Sequence, residues 1–207
     1  LNYASVTAPI SGRIGRALSV ERVPLAVFIR EAWRVVEPGT AFVPNWHIDL
    51  IAEYLTAVHL GQIQYLDINM PPRFSKSTIV SVCFPAWEWT EDPTRRFLFS
   101  GYSQKLCTRD SLKRRTIIDS QWYRNRWGLL VKLAPDQNLK TEFKNTAEGH
   151  MITAPVGGSA TGSGGSRLLT DDLMNPEQAE SEIQREKAIN FLRATMSTRG
   201  DEESAAH

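Results

Sequence analysis

Residues 68–81 read INMPPRFSKSTIVS, and the meaning of this stretch decides how the rest of the chain is interpreted. Lys76 and Ser77 match the closing pair of a phosphate-binding loop, whose usual pattern is G-x-x-x-x-G-K-[ST]. Met70 and Ser75 occupy the two glycine positions, so a chance Lys-Ser pair ahead of an apolar helix is the alternative. The loop needs backbone N–H groups at a helix N-terminus, and a left-handed Ser75 would cost only about 1 kcal/mol.

Length and composition predict one globular domain, with or without tails. The chain has 207 residues, of which 42% are hydrophobic and 23% are charged. The formal net charge is +1, so any contact with nucleic acid must be local rather than the result of a global basic field. Cys83 and Cys107 lie far apart, which favours two reduced thiols over a disulfide or a metal site. No apolar run reaches the length of about 20 residues that a membrane span needs.

The hydrophobic pattern around the loop predicts alternating strands and helices. Such alternation favours an α/β fold with a parallel sheet covered on both faces. The predicted strands cover residues 63–70, 95–103, 148–156, 166–172 and 193–199. The predicted helices cover residues 24–37, 45–61, 75–89, 103–124 and 175–193, with Asn45 and Ser103 as N-caps.

A pair of acids follows the apolar strand SRLLTDDLM, which begins at Ser166. Alone, Asp171 and Asp172 fit two solvated acids at a turn. Combined with Lys76 and Ser77, they complete a nucleotide site. Lys76 would reach the β- and γ-phosphates, and Ser77 and Asp171 would serve the Mg²⁺ shell. Asp172 would then orient the attacking water.

The stretch INMPPRFSKSTIVSVCFPAWEW resembles the Walker A segment of the large terminase subunit of tailed bacteriophages, where PPR followed by GKS or SKT recurs. The resemblance covers roughly residues 24–199. It continues through FLFSGYSQKLCTRDS, IIDSQWYRNRWG, GGSATGSGG, LLTDDLMNPEQAESEIQRE and FLRATMSTR.

This resemblance implies a P-loop NTPase of the additional-strand conserved-glutamate type, with a mostly parallel sheet flanked by helices. It implies an ATPase motor that uses ATP and Mg²⁺ to drive double-stranded DNA into a procapsid. The implied partners are a homo-oligomeric ring on a portal protein and the small terminase subunit, with no membrane, in the host-cell cytoplasm. The downstream nuclease of such subunits is not expected here, because residues 200–207 read as a disordered tail after an ATPase domain at 21–199.

The resemblance also assigns roles to individual residues. Arg73 would touch the γ-phosphate, and Asp172 stands where many relatives have the catalytic glutamate. Arg167 is the basic residue nearest the glycine-serine loop and would act in trans on a neighbouring subunit; simply flanking a strand is its alternative. The implied nucleotide-binding residues are Pro72, Arg73, Phe74, Ser75, Lys76, Ser77 and Thr78 in the loop, with Trp46 and His47 near the adenine. The implied coupling residues are Thr195 and Ser197.

Two further stretches leave alternatives open. Residues 1–18 resemble a short piece of a periplasmic efflux adaptor protein, and we expect residues 1–20 to be poorly packed. The run RDSLKRRTIIDSQWYRNRW mixes basic and aromatic residues, which suits DNA phosphates or, more simply, a solvated helix face. The alternative to an ATPase motor is a P-loop remnant that binds nucleotide or DNA without useful turnover.

Overall fold

The structure is a computed structural model that describes residues 22–156 and 164–196. The predictions made for residues 1–20, for Ser197 and for residues 200–207 lie outside these ranges. The helices are α1 (Leu25–Val36), α2 (Trp46–His59), α3 (Phe84–Glu91), α4 (Gln104–Asp119), α5 (Gln121–Trp127), α6 (Pro176–Glu180) and α7 (Glu182–Asn190). The strands are β1 (Phe97–Ser100), β2 (Leu133–Asn138), β3 (Glu142–Asn145), β4 (His150–Thr153) and β5 (Arg167–Thr170). Two π-helical segments span Thr78–Cys83 and Phe191–Met196.

The five strands form one open sheet in the order β2-β3-β4-β1-β5. Strand β1 pairs in parallel with β4 and β5, whereas β3 pairs antiparallel with β2 and β4. The prediction of an α/β protein with a helix-flanked sheet is therefore confirmed. The prediction of a mostly parallel sheet is wrong, because the β2–β3 hairpin adds an antiparallel half.

The segment 63–70, predicted to be the strand before the phosphate loop, forms no strand in the structure. Leu66, Ile68 and Met70 nevertheless alternate as half-buried residues against the core. Arg167 at the start of β5 contacts the end of α2, and Lys76 meets the acids after β5. The chain between α2 and Lys76 therefore starts near the beginning of β5 and reaches the acids after its end, without joining the sheet.

The helix predicted for residues 103–124 is divided in the structure. Ser120 adopts an extended conformation after α4, and its Oγ accepts a hydrogen bond from the Tyr123 backbone N–H, so it caps a new helix.

The strand predicted for residues 193–199 is also wrong over its described part, because Phe191–Met196 continues α7 as π-helix. Thr195 therefore does not sit on a strand.

The two faces of the sheet bury different amounts of apolar surface, because successive side chains on a strand point to opposite faces. On the larger side, residues of β1, β3 and β4 join the buried faces of α1 to α5 in one core. These strand residues are Phe97, Phe99, Phe143 and Met151. On the smaller side, alternate strand residues pack beneath the C-terminal segment. These are Leu98, Ile152 and Leu168, with Phe191 covering them.

A buried carboxylate joins α3 to the start of β5. Glu88 is 0% exposed, and its Oε1 lies 2.9 Å from Arg167 Nη2 and 3.1 Å from His59 Nδ1. Arg167 also donates to the backbone oxygens of Val58 and His59. This cluster fixes the end of α2 against the sheet and so sets where the following chain begins.

We predict that Glu88→Gln lowers the free energy of unfolding by about 3 kcal/mol, because it leaves the Arg167 guanidinium buried without a counter-charge. Chemical denaturation measures this loss. Arg30→Gln is the matched control, since Arg30 and Asp49 form an exposed pair with 47% and 51% of their side chains accessible. The control should lose less than about 1 kcal/mol. Equal losses in the two variants would show that the Glu88 cluster does not anchor β5.

Candidate functional site

A cavity of about 470 Å³ opens where the parallel strands end. The carboxyl ends of β1, β4 and β5 supply one wall, and the loop before Lys76 supplies another. Ligands of α/β proteins bind at this edge of a sheet, because the loops that leave parallel strands converge there. The residues of the predicted phosphate loop that line the cavity are Pro72, Arg73, Phe74, Ser75, Lys76, Ser77 and Thr78.

The loop folds into a tight turn that does not use glycine. Arg73 and Ser75 both adopt left-handed backbone conformations, with φ of 70° and 64°. The helix begins at Lys76, and the Ile79 N–H donates to the Ser75 carbonyl oxygen at 2.9 Å. The first N–H groups of a helix have no partner within it, so the turn presents donors and the positive end of the helix dipole to the cavity.

The paired acids are held at the end of β5 by backbone contacts with the β1 edge. The Asp171 N–H donates to the Ser100 carbonyl oxygen, and the Asp172 carbonyl oxygen accepts from the Tyr102 N–H, each at 2.9 Å. Gly101 permits this close approach, since a Cβ there would lie 2.6 Å from the Asp171 carbonyl oxygen. Asp172 itself is left-handed, with φ of 43°. The turn thus directs both carboxylates toward the loop.

The structure brings Lys76 together with both acids. Its Nζ lies 3.2 Å from Asp171 Oδ1 and 2.9 Å from Asp172 Oδ1. Burial lowers the pKa of Lys76, but the hydrogen bonds and charges of Asp172 and Asp171 outweigh this effect and leave the pKa raised. A raised pKa in a base means that the stabilisation is complete at neutral pH and is lost only as the pH rises through that value. The ammonium is therefore charged and paired under ordinary conditions.

The residues present fit magnesium only when it arrives with phosphate. Within residues 22–156 and 164–196, no group of three or more His, Cys, Asp and Glu side chains could hold a metal ion. Ser77 and Asp171 both line the cavity and provide a hydroxyl and a carboxylate. Mg²⁺ is commonly held by one or two carboxylates, with substrate phosphates and water completing its six oxygens. Ser77 and Asp171 would hold such an ion.

Trp46 and His47 lie beside the loop rather than in the cavity wall. The His47 ring lies 5.4 Å from the Phe74 ring and 6.1 Å from the Trp46 ring, and Phe74 lines the cavity. Trp46 is 74% exposed, so it is not part of the hydrophobic core. The three rings make successive edge-type contacts, and Phe74 connects them to the cavity wall. Contact of Trp46 and His47 with adenine stays a prediction.

Two predicted groups are not brought to the cavity. Arg167 lies at the opposite end of β5 from the acids and pairs with buried Glu88, which matches the alternative of a strand-flanking residue. Its action in trans is left as a prediction that this pairing disfavours. Thr195 belongs to the π-helical segment after α7, and Ser197 lies outside the described ranges.

Sequence reasoning missed the inner wall of the cavity. Ser100 and Thr153 end the parallel strands β1 and β4, and Arg114 reaches the cavity from α4. The sequence did contain a signal for Ser100 and Thr153, because polar residues at the ends of predicted parallel strands meet at one edge of a sheet. Arg114 gave no such signal, since it stands within a run of basic residues that reads as a solvated face.

Comparison with known proteins identifies no relative. No protein-family model matches the chain, and no curated protein matches it. Among the described residues, no helix has the length and apolar character needed to cross a membrane.

We predict that Ser75→Gly stabilises the chain by about 1 kcal/mol, because glycine adopts a left-handed conformation without the clash of a Cβ. Urea denaturation measures the change. Ser77→Gly is the control two residues away, since Ser77 has a helical φ of −61° and glycine weakens a helix by about 1 kcal/mol. If both variants lose stability equally, the turn at residue 75 is not left-handed.

Proposed function

We propose that this chain binds a magnesium–nucleoside triphosphate between the loop at 71–78 and the acids Asp171 and Asp172, and that it hydrolyses ATP. The observation that supports this most strongly is the convergence of Lys76 with both carboxylates at the carboxyl end of β5. A chance Lys-Ser pair gives no reason for such acids, 95 residues away, to meet that lysine. Loop, lysine, hydroxyl and carboxylates all line one cavity.

The ion pair defines what the residues do when nucleotide enters. Phosphate oxygens compete with the carboxylates for the Lys76 ammonium, which can then neutralise the β- and γ-phosphates. Asp171 would then be free to hold Mg²⁺, and Asp172 would be free to orient the attacking water. Bound Mg²⁺ supplies charge neutralisation on the phosphate oxygens. Water attacks the γ-phosphorus, ADP leaves, and the proton of the water passes to the Asp172 carboxylate or to solvent.

Arg73 lines the same cavity and is a candidate for charge stabilisation at the γ-phosphate. Its left-handed backbone belongs to the same turn as Ser75, so its position depends on the loop fold. Arg73 stands before the helix and is not among the residues that pair with the two acids. It therefore adds a positive charge to the loop and leaves both carboxylates paired with Lys76.

The larger role in phage DNA packaging is part of this proposal and comes from the motif resemblance. The proposed partners are double-stranded DNA, along which the motor would move, a portal protein on which copies of the chain form a ring, and the small terminase subunit. The proposed location is the host-cell cytoplasm. The basic run on α4 and α5 has fewer free positive charges for DNA phosphates than its sequence predicts. Arg114 is buried, and Lys113 and Arg126 pair with Glu37 and Glu31.

A nucleotide-binding domain without useful turnover is the second candidate. Two observations favour it: the Asp172 carboxylate is occupied by Lys76, and Arg167 is occupied by Glu88. A shorter carboxylate in place of glutamate also reaches less far toward a water on the γ-phosphate. The two candidates share the binding step and differ only in phosphate release.

We predict that Lys76→Ala abolishes magnesium-dependent ATP binding and hydrolysis, because the loop loses its contact with the β- and γ-phosphates. Fluorescent-nucleotide titration and phosphate-release assays measure the two steps. Lys140→Ala is the matched control, since Lys140 is exposed and lies outside the cavity wall. Turnover that survives Lys76→Ala would refute both candidates.

Asp172→Asn separates the candidates. For an ATPase we expect near-normal ATP binding and a fall in hydrolysis of at least about a hundredfold, as is typical when a group acting on the attacking nucleophile is lost. Parent protein that binds ATP but releases no phosphate, with or without DNA, would establish the binding-only candidate. Weaker binding by Asp172→Asn with unchanged turnover per bound ATP would contradict the role of Asp172.

A further inference from the structure

A second cavity, of about 560 Å³, adjoins the turn that holds the acids. Leu173 and Met174, which follow Asp172 directly, line it, and Tyr102 lines both this cavity and the one that contains Lys76. The Tyr102 backbone N–H donates to the Asp172 carbonyl oxygen at 2.9 Å, so the two cavities meet at the acid turn. The volume of the second cavity lies within the range of about 300–1,000 Å³ that small-molecule sites occupy.

The apolar part of the wall belongs to the smaller core, which the C-terminal helices cover incompletely. Helix α6 buries none of its residues, and α7 buries only Ala188. The apolar residues that line the cavity are Val156, Leu173, Met174, Ala188 and Phe191. Protein interiors are close-packed, and voids larger than a water molecule are few. A ligand with an apolar body would therefore remove from water a surface that these two helices leave accessible.

The polar part of the wall offers hydrogen-bond donors and one positive charge. Lys187 carries the only charge among the described residues that line the cavity. The Gln178 side-chain oxygen already accepts from the Asn175 backbone N–H at 2.9 Å, so the amide NH₂ group of Gln178 remains as a donor. The glutamates of the two helices lie outside the wall; they are Glu177, Glu180, Glu182 and Glu186. An anionic group would therefore find a counter-charge and a donor here, whereas a cation would find no carboxylate among the described wall residues.

We propose that this cavity binds an amphipathic monoanion, with an aromatic or branched apolar body against the smaller core and one anionic group beside Lys187 and Gln178. The single lysine suits one negative charge better than the several charges of a nucleoside triphosphate. The site uses no side chain that the magnesium–nucleotide proposal assigns, so this inference stands apart from the proposed function.

The first probe is 8-anilinonaphthalene-1-sulfonate, an aromatic body with one sulfonate, titrated by fluorescence with the full 207-residue chain at low ionic strength. We expect saturable binding at one site, and Lys187→Gln should weaken it about threefold, as is typical of a contact with an exposed charge. Lys132→Gln is the matched control, since Lys132 is an exposed lysine outside the cavity wall. The neutral analogue N-phenyl-1-naphthylamine should bind the parent and Lys187→Gln equally. Equal weakening of both probes by Lys187→Gln would overturn the role of the anionic group.

Two substitutions that fill the cavity test the apolar body. Gln184 and Met174 are half-buried residues of the wall, and a tryptophan ring at either position would take the space of the probe. Gln184→Trp and Met174→Trp should each weaken both probes at least about tenfold, because burial of an aromatic group accounts for a change of this size. Gln64→Trp is the matched control, since Gln64 is exposed and lies outside both cavities. Thermal unfolding without probe shows which variants are folded, and one folded variant of the pair is enough for the test.

Lys76→Ala and MgATP decide which cavity the probe occupies. The inference requires that Lys76→Ala leaves the affinity of the sulfonate probe unchanged and that MgATP does not compete with it. Probe binding that is lost in Lys76→Ala and kept in Gln184→Trp would place the probe in the other cavity and overturn the inference. Fluorescence that does not saturate, or that no filling variant reduces, would overturn it as well.

The failure of this inference differs from the failure of the proposed function. Probe binding that depends on Lys187 and on the filling variants, in a chain that binds no ATP, would keep this site and reject the proposed ATPase. ATP hydrolysis that depends on Lys76, in a chain whose probe binding is indifferent to Lys187 and to the filling variants, would keep the ATPase and reject this site.

Discussion

The ion pair between Lys76 and the acids after β5 is the contact on which this account depends. It joins the loop at residue 76 to a turn 96 residues later. Only the parallel pairing of β1 with β5 makes the contact possible, because it carries Asp171 and Asp172 to the edge where the loop opens. The Glu88 cluster at the other end of β5 fixes where the loop segment starts. Together the two contacts fix both ends of the segment that joins α2 to Lys76.

Backbone strain is concentrated around the same cavity. In the described residues, four residues other than glycine have positive φ, and three of them line the cavity: Arg73, Ser75 and Asp172. Each costs roughly 1–2 kcal/mol, and such conformations persist where the surrounding structure holds them for a purpose. A structural loop would gain stability from glycine at residue 75. The strain instead fits a turn whose amide groups must point toward a ligand.

Sequence reasoning located the local signals and missed the distant ones. Ser103 as a helix cap and the acids that follow β5 depend on local sequence, and both are found as predicted. The β2–β3 hairpin gave no clear signal, because strand β3 has only four residues and Phe143 is the single apolar one among them. Segment 63–70 has the alternation of a strand and packs accordingly, yet strand formation also needs backbone pairing with a partner. That pairing depends on tertiary contacts that periodicity does not encode.

The same limit applies to Arg114, whose neighbours Lys113 and Arg115 make it look like one member of a solvated basic run. Its burial follows from contacts with Ser81, Phe99 and Thr153, which lie far from it in the sequence and give no signal within the basic run. Lys76 shows the opposite case, because the Lys-Ser motif predicted a loop followed by a helix, and both are present although the strand expected before the loop is not. The cavity therefore combines a loop that sequence could predict with an inner wall that only the fold reveals.

The convergence of Lys76 with the acids is tested most directly by a double-mutant cycle on stability, using Lys76→Met, Asp172→Asn and the double variant in urea at low ionic strength. A contact between partly exposed charges predicts a coupling energy of about 0.5–1 kcal/mol that shrinks as salt is added. Asp136→Asn serves as the comparison, since Asp136 is an exposed acid on β2 and should be additive with Lys76→Met. Additive effects of Lys76→Met and Asp172→Asn, indistinguishable from the Asp136 comparison, would contradict the account.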